Sequence, residues 1–196
     1  MQRNRPEVKY GCMKRDIQFL VLAAVVVAAG FLWLVYLSYY PRITENNAQE
    51  LEQMFESEYG AKPYTGEKVT LSNEEWKERM TPEQYAVMRE DGTEPAYSDR
   101  EILDSREPGT YACSACELPL FSSETKYASG TGWPSFWAPI NPSHVGYSLD
   151  QGTFTTRIAV HCNRCDSHLG HVFKDGPPPT GHRYCINGVA LKFNPE

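Results

Sequence analysis

Hydrophobic and polar positions divide the chain into stretches of distinct character. Residues 17–40, IQFLVLAAVVVAAGFLWLVYLSYY, hold no charged side chain, and only Gln18, Gly30 and Ser38 interrupt the apolar and aromatic run. About 20 such residues cross a bilayer core as a helix. The run therefore predicts a transmembrane helix over 17–40, with Trp33, Tyr36, Tyr39 and Tyr40 toward one interface. The competing reading is a cleaved signal peptide, against which stand the length of the run and the lack of a small-x-small cleavage pattern. Residues 41–68 then read as an acidic tether. Its segment TENNAQELEQMFESEYG predicts a short helix with a thin apolar face (Leu51, Met54, Phe55), broken by AKPYTG and expected to pack little.

From Val69 onward the pattern is that of a folded domain, 69–196. Ser72 followed by Glu75 fits a capping box with Trp76 on the inner face, and Thr81-Pro82-Glu83-Gln84 fits a second, with Gly92 ending that helix. After Gly109 the helical period disappears. The segments FTTRIAVH (154–161), HVFKD (171–175) and RYCINGVALKF (183–193) read as strands. Helices first and strands afterwards predict an α+β or mainly β domain. In the last segment, alternation would place Arg183, Cys185 and Asn187 on one face and Tyr184 and Ile186 on the other.

Charge sharpens the organisation. The whole chain carries a net −6, but residues 1–42 hold six basic against two acidic side chains, which leaves −10 on 43–196. Such an acidic domain repels phosphate backbones and argues against nucleic acid as a partner. Five basic residues precede the apolar run and acidic residues dominate after it. The positive-inside rule then predicts a cytoplasmic tail, 1–16, and a domain on the other side of the membrane. The simplest such arrangement is the periplasmic side of a bacterial inner membrane. Cys12 would lie across the bilayer from the other cysteines.

Four of those cysteines form pairs, Cys113-Ser-Ala-Cys116 and Cys162-Asn-Arg-Cys165. Two residues between thiolates let a tight turn aim both sulfurs at one point, so two such turns predict a structural tetrahedral zinc site. The 45 intervening residues require the fold to bring the pairs together. Two disulfides or a redox-active pair are the alternatives. Cys185 stands alone in its strand, where a small inert core residue is the usual identity of such a cysteine.

Four stretches in order change that reading: GTEPAYS (92–98), GTYACSACELPLF (109–121), SGTGWPSFWAPI (129–140) and HCNRCDSHLGHVFKDGPPPTGHRYCIN (161–187). Together they resemble the methionine sulfoxide reductases of the B type, from about Val69 to Phe193. The resemblance implies two antiparallel β-sheets in a sandwich-like arrangement with short N-terminal helices. It implies reduction of methionine-R-sulfoxide, free or in oxidised proteins, with Cys185 as nucleophile. It also matches Cys113, Cys116, Cys162 and Cys165 to the ligands of the zinc-containing members. The expected roles make chemical sense. A thiolate attacks the sulfoxide sulfur, and Arg183 on the Cys185 face would favour that thiolate. His168 and His171 would supply or relay the proton to the leaving oxygen. Asn187 would hydrogen-bond the reacting group, and Trp133 would wall the substrate methyl. An ion-pair role for Arg183, a core role for Trp133 and metal ligation by the two histidines are the plainer alternatives; His161 and His182 read as structural. Cys185 would pass through a sulfenic acid.

One departure carries a consequence. Many relatives place a resolving cysteine after the SG of SGxGWPSF, where this chain has Thr131. With the four paired cysteines on metal, Cys185 would depend on an external thiol, from a thioredoxin-like protein or a small molecule.

Overall fold

The computed structural model describes residues 47–151 and 156–196. The apolar run 17–40 and Cys12 lie outside the described residues, among which no helix is long and apolar enough to cross a membrane.

Among the described residues, four helices precede nine strands. Helix α1 covers residues 47–59, followed by α2 (Asn73–Arg79), α3 (Pro82–Met88) and α4 (Arg100–Asp104). Both capping boxes form. Ser72 and Glu75 exchange backbone and side-chain bonds at the start of α2, as do Thr81 and Gln84 at α3, where Pro82 occupies the first turn. Each N-cap contributes about 1 kcal/mol. Helix α3 ends before Gly92, and Asp91 takes a left-handed φ of 55°.

Nine strands follow: β1 (Gly109–Cys113), β2 (Pro119–Ser122), β3 (Lys126–Tyr127), β4 (Ser135–Phe136), β5 (Val145–Gln151), β6 (Thr156–Cys162), β7 (His168–Phe173), β8 (Arg183–Ile186) and β9 (Leu191–Pro195). They form two antiparallel sheets, ordered β2-β1-β9 and β3-β4-β8-β7-β6-β5. Aromatic rings join the sheets. Phe121 of β2 stacks on Phe136 of β4 at 4.5 Å between centroids, and Tyr111 of β1 meets Phe136 edge-on at 5.1 Å. These three rings and Tyr184 are almost fully buried, each stabilising the fold by about 2–3 kcal/mol.

Two features differ from the sequence reading. The stretch 183–193 is two strands in different sheets, separated by a 3-10 turn at Gly188–Ala190. Alternation on the Cys185 face therefore stops at Ile186, and Asn187 begins the crossing. The tether also packs within the folded unit: Phe55 and Tyr59 are buried, Tyr59 stacks on Tyr147 at 5.1 Å, and Glu58 pairs with Lys174 at 2.9 Å. The thin apolar face suffices because its partners are themselves large rings.

Candidate active site

Cys185 sits on β8 between two antiparallel neighbours. Its register partners are Ser135 on β4 and His171 on β7. Directly opposed residues of an antiparallel pair project to the same face, so Ser135, Cys185 and His171 form a row across the sheet. On the other face Tyr184 and Ile186 fill the core. Gly170, between the two histidines, is required for this approach: a Cβ there would lie 2.2 Å from the Cys185 carbonyl oxygen.

The Cys185 thiol is half-buried and unbridged. Thr131 Oγ1 lies 3.9 Å from its Sγ, and Ser129 Oγ holds Thr131 Oγ1 at 2.9 Å and Ser135 Oγ at 2.7 Å. Burial pushes the thiol above its ordinary pKa, outweighing the opposing pulls of Thr131 and Arg183. Arg183 is weakened as an activator by its own partner. Its guanidinium forms a two-pronged ion pair with Asp175, at 2.8 and 2.9 Å, and lies over the Phe173 ring at 4.4 Å.

His168 and His171 are both buried, their rings 5.3 Å apart. His171 Nε2 meets Asp150 Oδ2 at 2.8 Å, and Asp150 also accepts from Arg157 Nε and Nη2. Burial lowers both imidazole pKa values, His168 to about 4, so both rings are neutral at pH 7.

Asn187 is buried with its amide engaged at both ends. Oδ1 accepts from the Glu94 main-chain N–H at 3.1 Å and Nδ2 donates to the Leu169 carbonyl at 3.0 Å. The Trp133 indole N–H donates to the Glu94 carbonyl at 3.2 Å. Glu94 is 3 % exposed, and its carboxylate accepts from the main-chain N–H groups of Gly188 and Val189. Sequence reasoning did not single out Glu94, Asp150 or Asp175. Glu94 lies within the GTEPAYS stretch, but nothing local marks its carboxylate as buried.

The four paired cysteines converge. Their sulfurs all lie within 4.8 Å of one another, with Cys113–Cys165 at 3.7 Å and Cys116–Cys162 at 3.6 Å. Metal–thiolate bonds of 2.3 Å in a tetrahedron require edges of about 3.8 Å, so the set fits one closed metal site. The two turns repeat one geometry. Glu117 N–H donates to Cys113 O and Asp166 N–H to Cys162 O, each at 2.8 Å, with left-handed φ values of 62° and 59°. One turn follows β1 and the other β6, so a metal here would tie the two sheets together.

The chain is similar to known proteins over this domain. A SelR domain matches residues 80–195. The peptide methionine sulfoxide reductase MsrB of Methanosarcina barkeri is 54% identical over 128 residues, 65% of this chain and 89% of that protein. MsrB of Hahella chejuensis is 48% identical over 128 residues, 65% of this chain and 91% of that protein. The mitochondrial methionine-R-sulfoxide reductase B2 of Rattus norvegicus is 50% identical over 136 residues, 66% of this chain and 78% of that protein. With more than half its length matched by the domain and relatives about 50% identical covered over 78% to 91% of their own length, the chain belongs to the methionine sulfoxide reductase B family.

Proposed function

We propose that the chain works as a methionine-R-sulfoxide reductase through direct attack of Cys185 on the sulfoxide sulfur. The observation that carries this is an unbridged, half-buried thiol set in a row with His171 and Ser135 on an otherwise well-packed sheet. The Cys185 sulfur bonds to the substrate sulfur, the oxygen moves from that sulfur to the Cys185 sulfur as the S–O bond breaks, and the new S–S bond then breaks with its electron pair leaving on methionine. Thiol plus sulfoxide thus give sulfenic acid plus methionine. With both histidines neutral at pH 7, the proton lost by Cys185 is the one the sulfoxide oxygen gains. His171, oriented by Asp150, is the relay; His168 supports it. Trp133 walls the substrate methyl. Asn187 and Arg183 position: the first holds the 187–189 crossing to Glu94, the second orders the β7–β8 end through Asp175.

Two equivalents of external thiol then return the sulfenic acid to thiol, releasing water and a disulfide. A thioredoxin-like protein fits this role, because Thr131 stands where a resolving cysteine would. The four-thiolate set suits zinc, a soft-ligand tetrahedral ion, held by Cys113, Cys116, Cys162 and Cys165 as a structural brace. The apolar run 17–40 supports a single membrane anchor, with the catalytic domain outside the cytoplasm repairing oxidised proteins there.

The test is turnover of methionine-R-sulfoxide with dithiothreitol by wild type and Cys185→Ser. Turnover by the wild type alone supports the reading. An active Cys185→Ser variant, or an inactive wild type, rejects it.

A further inference from the structure

Three hydroxyl groups join Cys185 to the loop between β3 and β4. Thr131 Oγ1 stands 3.9 Å from Cys185 Sγ and 2.9 Å from Ser129 Oγ, which in turn lies 2.7 Å from Ser135 Oγ. The string ends at the Trp133 carbonyl, 3.2 Å from Ser135 Oγ. The fold fixes both of its ends. Ser135 is buried and is the β4 register partner of Cys185, so the two project to the same face. Thr131 sits between two glycines with left-handed φ, 76° at Gly130 and 92° at Gly132, a bend that brings its hydroxyl back to Ser129. Tyr97 holds that bend from outside. Its N–H donates to the Gly132 carbonyl at 2.8 Å and its hydroxyl to the Gly130 carbonyl at 3.2 Å.

Counting hydrogens gives the string two complete states. Each hydroxyl has one hydrogen to donate and can accept at its oxygen. With Cys185 a thiol, S–H donates to Thr131, Thr131 to Ser129, Ser129 to Ser135, and Ser135 to the Trp133 carbonyl. With Cys185 a thiolate, all three hydroxyls turn round: Ser135 donates to Ser129, Ser129 to Thr131, and Thr131 to the sulfur. The second state gives up the bond to the Trp133 carbonyl and gains one to an anion, which is the stronger kind. Donors aligned in a chain also reinforce one another. The string carries no proton away, because it ends on a carbonyl.

The charged and titratable groups around Cys185 leave this role open. Arg183, on the same strand, gives Nε and Nη2 to Asp175. His171, opposite on β7, is bonded to Asp150. Tyr127, the β3 partner of Ser135, lies one strand further along the row with its hydroxyl buried. Burial raises the Cys185 pKa, and the Thr131 hydroxyl is the largest of the influences that oppose it.

We propose that Thr131 is the hydrogen-bond donor to the Cys185 thiolate, and that Ser129 and Ser135 are positioning residues that turn its hydroxyl toward the sulfur. The inference rests on the reductase reading and gives residue 131 a part in the attacking step itself.

The experiment follows alkylation of Cys185 by iodoacetamide against pH, read by peptide mass spectrometry. Altered access changes the alkaline plateau, whereas altered stability of the thiolate changes the midpoint. Thr131→Val keeps the shape of the side chain and removes the hydroxyl. Its midpoint should rise, so that the rate at pH 7 relative to the plateau falls about three- to tenfold, the range of one hydrogen bond. Thr131→Ser should restore the wild-type midpoint. Ser129→Ala should raise it part of the way in the wild type and add nothing in the Thr131→Val background, where the string no longer reaches the sulfur. A wild-type midpoint in Thr131→Val overturns the donor, as does a Thr131→Ser midpoint that stays with Thr131→Val. A wild-type midpoint in Ser129→Ala, or a shift as large in the Thr131→Val background, overturns the positioning role. Alkylation needs no substrate, so turnover of methionine-R-sulfoxide by the wild type reports on the reductase reading separately.

Discussion

The Glu94 main-chain N–H donates to Asn187 Oδ1 at 3.1 Å, while the Glu94 carboxylate accepts from the N–H groups of Gly188 and Val189. One residue from the loop before α4 thus clamps the point where the chain leaves the catalytic sheet. The same residue's carbonyl receives the Trp133 indole. Two residues of the candidate site, Trp133, proposed to wall the substrate methyl, and Asn187, just past Cys185, share a single buried support.

Removing that support should affect both stability and turnover. Glu94→Ala leaves two main-chain donors without their acceptor, at a cost of about 1–3 kcal/mol each where no water replaces it. We expect the urea midpoint to fall. We also expect kcat/KM for methionine-R-sulfoxide to fall at least tenfold under conditions where the variant is fully folded. Normal turnover by folded Glu94→Ala would show that the clamp does not position the site.

Much of this architecture was legible locally, and what was missed is long-range. Both capping boxes need only residues three apart, so Ser72 with Glu75 and Thr81 with Gln84 can be read directly. The core-facing Tyr184 and Ile186 follow from strand alternation. The break after Ile186 does not, because the bonds that turn the chain come from Glu94, 94 residues away from Gly188. Burial of Phe55 and Tyr59 likewise depends on Tyr147. Arg183 and Cys185 do share a face, as alternation predicts, but the strength of their coupling depends on Asp175 and on burial, which no spacing reports.

That balance has a consequence for reactivity. Burial raises the Cys185 pKa above the ordinary thiol value, so the thiol, not the thiolate, is the favoured form of the free protein at neutral pH. Alkylation of Cys185 by iodoacetamide should keep accelerating from pH 7 to beyond pH 9 rather than level off below neutrality. Asp175→Asn frees Arg183 from its counter-charge and should shift this profile toward lower pH. Peptide mass spectrometry following Cys185 over time reads both. A plateau already reached at pH 7 in the wild type would contradict the burial-dominated thiol.

The metal site is testable through the fold. If zinc ties β1 to β6, Cys162→Ser should lose stoichiometric zinc and unfold at lower temperature, because metal binding at such a site is folding free energy. A strong chelator should have the same effect on the wild type. Cys185→Ser, by contrast, should retain one zinc and the wild-type melting temperature within a few degrees. Metal content by elemental analysis alongside calorimetry separates the two. Full zinc in Cys162→Ser would remove it from the ligand set.

The last prediction concerns Thr131. Its Oγ1 lies 3.9 Å from Cys185 Sγ, so the side chain at this position already faces the sulfur proposed to become a sulfenic acid. A thiol placed there would need only a small rotation to attack it, expelling water and forming a disulfide. Thr131→Cys treated with one equivalent of methionine-R-sulfoxide should therefore yield a 131–185 disulfide, and its free thiol count should fall by two. The wild type should instead accumulate the sulfenic acid, which dimedone traps. The variant should also be recycled by thioredoxin through that disulfide, whereas the wild type presents its sulfenic acid to the reductant directly. Dimedone labelling of Thr131→Cys at the wild-type level, without a disulfide, would mean that residue 131 turns away from Cys185 in solution. The proposed reliance on an outside thiol would then lose its basis in the residue at position 131.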